Sequence, residues 1–378
     1  MASITWWNCR ISRICRNKTG FPKQIRQISH ILKILIMKAV QITAEQQMAV
    51  VELEKPEVGS EEVLLRINYV GFCGSDLNTF LGRNPMVTMP VIPGHEVSAT
   101  IVGVGAAVPE TLKVGMNVTV DPYSNCGHCA SCRHERANAC EHNETLGVQR
   151  NGAMREFLVM PWQKIIPAEG LTEKEIALIE PMSVGFHAVN RAEITDIDHV
   201  MVIGCGMIGI GAIVRASLRG ATVIAVDLDD EKLALAKRMG AHYVVNSKTE
   251  DLHSRLMDIT GGLGPDVVIE AVGNAFTQNQ AVNEVAFTGR IVFIGYAKGG
   301  TEFVTKFFVQ KELDIRGSRN AKAADFRAVI HYMQQNPDYP KEELISAVAT
   351  PDTAVDAMRQ WAAAPAKVFR ILVSFVEC

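Results

Sequence analysis

A buried apolar strand, a glycine turn and the start of a helix follow one another in His199-Val-Met-Val-Ile-Gly204-Cys-Gly206-Met207-Ile208-Gly209. This run restricts the fold more than any other part of the chain. Glycines at 204, 206 and 209 allow a tight turn, close approach of backbone to a pyrophosphate, and close packing of helix on strand. The helix opens at Met207 and Ile208, with the positive end of its dipole toward the phosphates. The next strand, 221–226, ends in Asp227, eighteen residues past Gly209. A carboxylate there accepts hydrogen bonds from a ribose 2′-OH and repels a 2′-phosphate. Asp229 and Asp230 follow with no arginine at once to compensate, so NAD is expected rather than NADP. Lys232 joins the expected cofactor contacts, as do Gly273 and Gly295, which end two later strands at the carboxyl edge where a dinucleotide lies.

The alternation continues. Helices are expected over 231–239 and 251–259, and strands over 242–245, 266–272, 289–295 and 313–317, giving a doubly wound, mostly parallel sheet. Helices follow over 324–335 and 352–363, then a closing strand over 367–375 that returns to the first domain. Upstream the pattern differs: short apolar runs over 39–42, 48–53, 62–70, 97–104 and 117–120, punctuated by Gly and Pro, predict a barrel-like β domain. At 378 residues the chain has room for two domains. The expected division is a catalytic domain over 37–190, a cofactor domain over 191–320, and a return to the first domain over 321–378.

Residues 1–44 carry eight basic and no acidic side chains, leaving the remainder at -11. Residues 1–36 are therefore either a presequence or lie upstream of a functional start at Met37, and they stay out of the fold argument. A net charge of -3 gives no reason to expect nucleic acid as a partner, and no run is long and apolar enough to span a membrane.

The chemistry concentrates in Gly71–Glu96. Cys73, His95 and Glu96 are a thiolate, an imidazole and a carboxylate, ligand types that Zn²⁺ takes when it keeps a position open. The competing reading of Cys73 is a small buried apolar residue. Asp76 is placed to partner the liganding histidine from behind. Ser75 offers a hydroxyl that can carry a proton away from the metal site.

Cys126, Cys129 and Cys132 stand at three-residue steps, and Cys140 follows. Disulfides or a redox pair are the alternatives, but this spacing in a chain without a disulfide scaffold favours a closed, structural tetrahedral Zn site in a reducing, cytoplasmic compartment. His128 and His134 are read as loop residues. A helix is expected over 171–180, ending at Glu180-Pro181, with a second over 183–192. Glu180 is either a fourth zinc-facing group, direct or through water, or an ordinary helix-end glutamate. His187 is read as a packed core residue.

Taken together, Gly71-Phe-Cys73-Gly-Ser75-Asp76, Gly94-His95-Glu96, the four cysteines, Glu180-Pro181 and the glycine turn with Asp227 resemble the zinc-dependent medium-chain dehydrogenases. The resemblance covers residues 37–378. It implies a GroES-like β-barrel catalytic domain, a Rossmann domain, a catalytic zinc in the cleft between them, and dimers or tetramers. Glu96 after His95, and the run from Glu180 to His187, look like the sorbitol dehydrogenase branch. There the zinc is held by Cys, His and Glu, with the second Glu close to the metal's water. The run Gly317-Ser-Arg319-Asn320-Ala-Lys-Ala-Ala-Asp-Phe326 resembles sugar-acid oxidisers of that branch, such as L-galactonate 5-dehydrogenase. Arg319, with Asn320 beside it, either meets a substrate carboxylate or cofactor phosphate or is a surface arginine.

Two departures matter. The alcohol dehydrogenase histidine relay is replaced by Asn78, and threonine dehydrogenases tend to have Asp where this chain has Glu180. The expected activity is NAD-dependent oxidation of a secondary alcohol on a polyol or sugar acid. L-threonine or a simple alcohol is the alternative substrate. A non-catalytic NAD-binding protein is the alternative of another class, opposed by intact Cys73, Ser75, His95 and Glu96.

Overall fold

The computed structural model describes residues 36–297 and 299–376. The expected leader lies outside them, except that Ile36 opens the first strand. Apolar residues at every second position build the antiparallel strands of the first half. β1 (Ile36–Ala44) and β2 (Gln47–Glu54) make a hairpin, followed by β3 (Glu62–Phe72), β4 (Glu96–Val104), β5 (Asn117–Val120), β6 (Phe157–Pro161) and β7 (Ile165–Pro167). Three helices interrupt or follow this set: α1 (Gly74–Phe80), α2 (Ala130–Arg133) and α3 (Glu173–Ile176). β3 is the hub, pairing antiparallel with both β4 and β6. Val63, Leu65, Ile67, Val97, Ala99 and Ile101 fill the space these strands enclose and are at most 1% exposed. Each side chain of that size contributes about 1.5–3 kcal/mol relative to exposure.

Helix α4 (Ile179–Ala192) leads into the second half. Its strands β8 (His199–Ile203), β9 (Thr222–Asp227), β10 (Tyr243–Asn246), β11 (Val267–Glu270), β12 (Arg290–Phe293) and β13 (Asp314–Gly317) form one sheet in the order β10-β9-β8-β11-β12-β13. Every neighbouring pair is parallel. The intervening helices are α5 (Met207–Leu218), α6 (Asp230–Arg238), α7 (Leu252–Thr260), α8 (Ala275–Glu284) and α9 (Lys306–Gln310). Val200, Val202, Val223 and Ala225 pack on one face of the sheet and Met201, Ile203, Ile224 and Val226 on the other, so the strands read as unbroken apolar runs. The chain ends with α10 (Ala323–Gln335), β14 (Ala347–Ala349), α11 (Ala354–Ala363) and β15 (Ile371–Ser374). β15 pairs antiparallel with β3 through Ile371 and Phe72, so the carboxyl-terminal segment closes on the β domain.

The helix expected over 171–180 is corrected. Its first turn, α3, stops at Ile176, and Glu180 lies in the first turn of α4 rather than at a helix end. Pro181 explains the change: the first N–H groups of a helix have no internal acceptor, so a proline fits a start better than a finish. α4 then packs on α5 at backbone distance. A Cβ on Gly185 would lie 2.3 Å from Ile208 O, and one on Gly211 would lie 2.5 Å from Met182 O. The helix carrying Glu180 is thereby locked to the helix that opens at the glycine turn. No helix among the described residues is long and apolar enough to cross a membrane.

Candidate active site

Cys73 caps α1 and His95-Glu96 enters β4, so β3 and β4 bring the three groups to one place. Ligand atoms of Cys73, His95 and Glu96 all lie within 4.8 Å of one another. Asp76 holds the two segments in register: Oδ2 accepts from Cys73 N at 2.9 Å and Oδ1 from Gly94 N at 3.4 Å. This corrects the expectation that Asp76 partners the histidine ring. Its carboxylate is taken by backbone N–H groups beside both ligand residues, and His95 Nδ1 has no hydrogen-bond partner. Ser75 Oγ is likewise buried and unpartnered.

Glu96 stands opposite Gly71 in the β3–β4 ladder, and its carboxylate lies over that glycine. A Cβ at Gly71 would lie 2.1 Å from Glu96 Oε2. Gly71→Ala should therefore displace the carboxylate while keeping the strands, at about 1–3 kcal/mol. The expected result is loss of one bound zinc per chain with the circular dichroism spectrum retained. Full zinc content in the variant would contradict this.

Two residues that sequence reasoning missed complete the site. Arg370, 5% exposed and adjacent to β15, reaches Glu96 Oε1 at 3.1 Å and donates to Phe72 O at 2.6 Å. Tyr123, beyond β5, donates its hydroxyl to Glu180 Oε1. A buried Arg on a closing strand and an isolated Tyr carry no motif; only the tertiary pairing reveals them. Glu180 is 4% exposed and close enough to act on His95 and Glu96 electrostatically, but it is not part of the 4.8 Å group.

The charges follow from this burial. Desolvation pushes the Cys73 thiol up, but the adjacent His95 imidazole and then Arg370 bring it below its ordinary value. Desolvation pulls His95 down, yet Cys73, Glu180 and Asp76 together carry it well above. Burial leads in raising Glu96 far above the carboxylate range, against the pull of Arg370. Several acidic groups and one fixed cation thus share a dry space in which Glu96 Oε1 and Oε2 make no hydrogen bond. Such a donor set has room for a further cation beside Arg370, and its S, N and O atoms fit zinc.

At the cofactor turn, Gly204 has φ +95°, and a Cβ on Gly209 would lie 1.8 Å from Gly204 O. A Cβ on Gly206 would meet nothing within 4 Å, which leaves an open cradle at the amino end of α5, where Met207 and Ile208 begin the helix. A dinucleotide pyrophosphate fits that cradle. The Asp227 carboxylate is fixed by Cys205 N at 2.7 Å, Leu228 N at 2.7 Å and Asp229 N at 3.2 Å. Gly273 and Gly295 approach each other at the carboxyl ends of β11 and β12, where a Cβ on Gly295 would lie 2.2 Å from Gly273 N. Lys232 turns its ammonium over the Phe369 ring, 5.7 Å from its centre, beside Arg370.

Cys126, Cys129, Cys132 and Cys140 also gather within 4.8 Å, and none forms a disulfide. Backbone N–H groups already point at the sulfurs, from Cys129 to Cys126 Sγ and from Cys126 to Cys140 Sγ, both at 3.3 Å. His128 and His142 are exposed and form a second potential ligand group only by sharing Cys126. The Ser131 hydroxyl leads in lowering Cys129 to about 5, whereas burial leads in raising Cys132 to about 12. Metal takes thiolates, so uptake at neutral pH must expel protons, and the lobe's zinc affinity should rise with pH between those values. Calorimetry in buffers of different ionisation enthalpy measures that release; an enthalpy independent of buffer would contradict it.

Arg319 and Asn320 lie against this lobe, with Arg319 Nη1 3.2 Å from Cys140 O and Asn320 Nδ2 2.9 Å from Asn138 O. His187 is buried between Asn138 and Asp325.

Residues 59–170 match the alcohol dehydrogenase GroES-like domain, and residues 208–335 match the zinc-binding dehydrogenase family. L-galactonate-5-dehydrogenase of Escherichia coli K12 is 36% identical over 282 residues, covering 75% of this chain and 83% of that protein. Sorbitol dehydrogenase of Halalkalibacterium halodurans is 32% identical, covering 76% and 84%. Among solved structures, the rspB alcohol dehydrogenase of Escherichia coli CFT073 with NADH superposes with a TM-score of 0.82 at 28% identity, over 90% of this chain and 99% of that one.

Fold and site define an oxidoreductase that acts on CH–OH groups with a nicotinamide dinucleotide. The chain belongs to the zinc-dependent medium-chain dehydrogenase family, in its polyol dehydrogenase branch.

Proposed function

We propose that the protein oxidises a secondary alcohol of a polyol or sugar acid, with NAD as hydride acceptor. The observation that carries this reading is the buried set of Cys73, His95 and Glu96 with unpartnered polar atoms. The names of the relatives, an L-galactonate and a sorbitol dehydrogenase, support the substrate class. In this reading Cys73, His95 and Glu96 hold the catalytic zinc, and Glu180, oriented by Tyr123, reaches it directly or through water. The four lobe cysteines hold a second zinc.

Zinc bound there supplies Lewis acidity that eases loss of the substrate hydroxyl proton near neutral pH. Ser75 Oγ, unpartnered in its buried position, takes that proton onward. With Asn78 in place of a histidine relay, the exit beyond Ser75 runs through water or the cofactor ribose. Gly204–Gly209, Asp227 and the Gly273 and Gly295 edge would hold the dinucleotide, which would supply the acceptor for the carbinol hydride. Fixed by three N–H groups, the Asp227 carboxylate stands at the strand end where a 2′-phosphate would be repelled, and this favours NAD. Asp227→Ala should lower kcat/KM for NAD about tenfold and narrow the gap to NADP. An unchanged ratio between the two cofactors would contradict that role.

Exposed Val309 on α9 and Ile315 on the edge strand β13 support assembly into a homo-oligomer. Lobe cysteines unpaired by disulfides support a reducing, cytoplasmic setting. The substrate class is tested by NAD reduction across sorbitol, xylitol, L-galactonate, L-fuconate, L-threonine and simple secondary alcohols. Preference for a polyol or sugar acid is expected; preference for threonine or a simple alcohol would overturn it.

A further inference from the structure

Residues on the cysteine lobe and residues just past β13 exchange hydrogen bonds through each other's backbone. Asn138 Nδ2 donates to Arg319 O at 2.8 Å, and Asn320 Nδ2 donates to Asn138 O at 2.9 Å. Arg319 Nη1 adds Cys140 O at 3.2 Å, and Lys322 Nζ adds Glu135 O at 2.9 Å. Asn320 sits at φ +55°, the left-handed region that asparagine enters more readily than most residues with a Cβ. Asn138 is 7% exposed, and its amide also lies 3.1 Å from His187 Nε2. His187 Nδ1 is 2.9 Å from Asp325 Oδ2, and Asn190 Nδ2 donates to Asp325 Oδ1 at 2.7 Å. A continuous buried network therefore runs from the lobe through α4 to α10. Proton transfer and hydride transfer as derived above use none of these groups.

The position of this clasp gives it a consequence for cofactor binding. Residues 318–320 leave the carboxyl end of β13, in the half of the sheet formed by β11, β12 and β13. In a doubly wound sheet each half takes one nucleotide of the dinucleotide, and the adenosine half is the one ending in Asp227. Residues 318–320 thus border the nicotinamide half. Asn138 sits in a single turn, Ala137–Ala139, that runs directly into Cys140, so order at the four sulfurs fixes Asn138.

We infer that the clasp in which Asn138 holds the Arg319 carbonyl and Asn320 holds the Asn138 carbonyl makes the cysteine lobe a positioning device for the nicotinamide half of the cofactor site. Asn138 and Asn320 are positioning residues in this scheme: they set the path of 318–320 without touching reacting atoms. The inference rests on the cofactor reading proposed above.

The test uses the full chain loaded with zinc, with Asn138→Ala and Asn320→Gly as variants. Glycine tolerates the left-handed backbone at 320, so the second variant removes the side-chain bond without adding strain. NADH affinity is read by fluorescence titration, together with zinc per chain and the separate kcat and KM for NAD. Each variant should keep its zinc, bind NADH about tenfold more weakly, and raise KM for NAD more than it lowers kcat. The double variant removes both bonds of the clasp and should bind NADH at least as weakly as the worse single. NADH affinity within about twofold of wild type in the folded variants would overturn the inference and leave the clasp as packing alone. If Asn138→Ala loses the lobe zinc or fails to fold, Asn320→Gly decides by the same readout. Failure of the wild-type protein to bind NADH would instead defeat the cofactor reading, and the inference with it.

Discussion

Cys73→Ser is expected to lower turnover by at least about 10³-fold and, in the proposed reading of two zinc sites, to reduce zinc by one ion per chain. Serine keeps the N-cap geometry of α1 and nearly the same volume, so the fold should persist. The change removes a soft anionic donor whose thiol is already held below its ordinary value by His95 and Arg370. NADH binding should survive, because the cradle at Gly206 lies on the other sheet. Metal analysis and single-turnover kinetics on the same sample check both halves. Full turnover with two zincs would exclude Cys73 from the metal site.

Arg370→Ala should produce the largest loss of stability, about 3–5 kcal/mol. Arg370 is the cation facing Glu96, which is fully buried, and it also satisfies the Phe72 carbonyl. Truncation removes the largest charge opposing the Glu96 carboxylate, leaving only His95, and strips the Phe72 carbonyl of its Arg370 donor in a dry interior. The pH dependence has a definite sign. Burial already raises Glu96 in the folded state, so the folded metal-free protein holds this proton more tightly than the unfolded chain does. Stability from that proton is complete below the ordinary carboxylate range and is lost as pH rises through the raised value. The metal-free variant should therefore lie nearer wild type at acid pH than at neutral pH. Denaturant titrations at two pH values measure this, and a deficit independent of pH would contradict it.

Much of the architecture was legible because it is written in short-range patterns. Apolar runs such as Val-Met-Val-Ile before a glycine turn specify a strand buried on both faces, and the resulting parallel sheet is the observed one. Cysteines at three-residue steps likewise announce a cluster. What stayed hidden depends on distant chain segments or on weak local signals. Helix α8 is Ala-Phe-Thr-Gln-Asn-Gln-Ala-Val-Asn-Glu, with few large apolar residues, so its pattern is faint and its cap at Asn274 is the better clue. Pro181 reads from the sequence as a stop signal, although a first turn accepts proline equally well. Asp76 could not be assigned its backbone partners from spacing alone, because Gly94 meets it only after β3 and β4 pair. Arg370 and Tyr123 lie far in sequence from Glu96 and Glu180, and only the folded chain joins them.

The most direct test is NADH formation from L-galactonate and sorbitol by the zinc-loaded protein, before and after the more labile zinc is stripped by a chelator. The expected result is NADH production that disappears with that ion, returns on adding zinc, and stays absent in Cys73→Ser whatever zinc is added. Turnover that continues unchanged after the catalytic zinc is gone would contradict the proposed role of Cys73, His95 and Glu96.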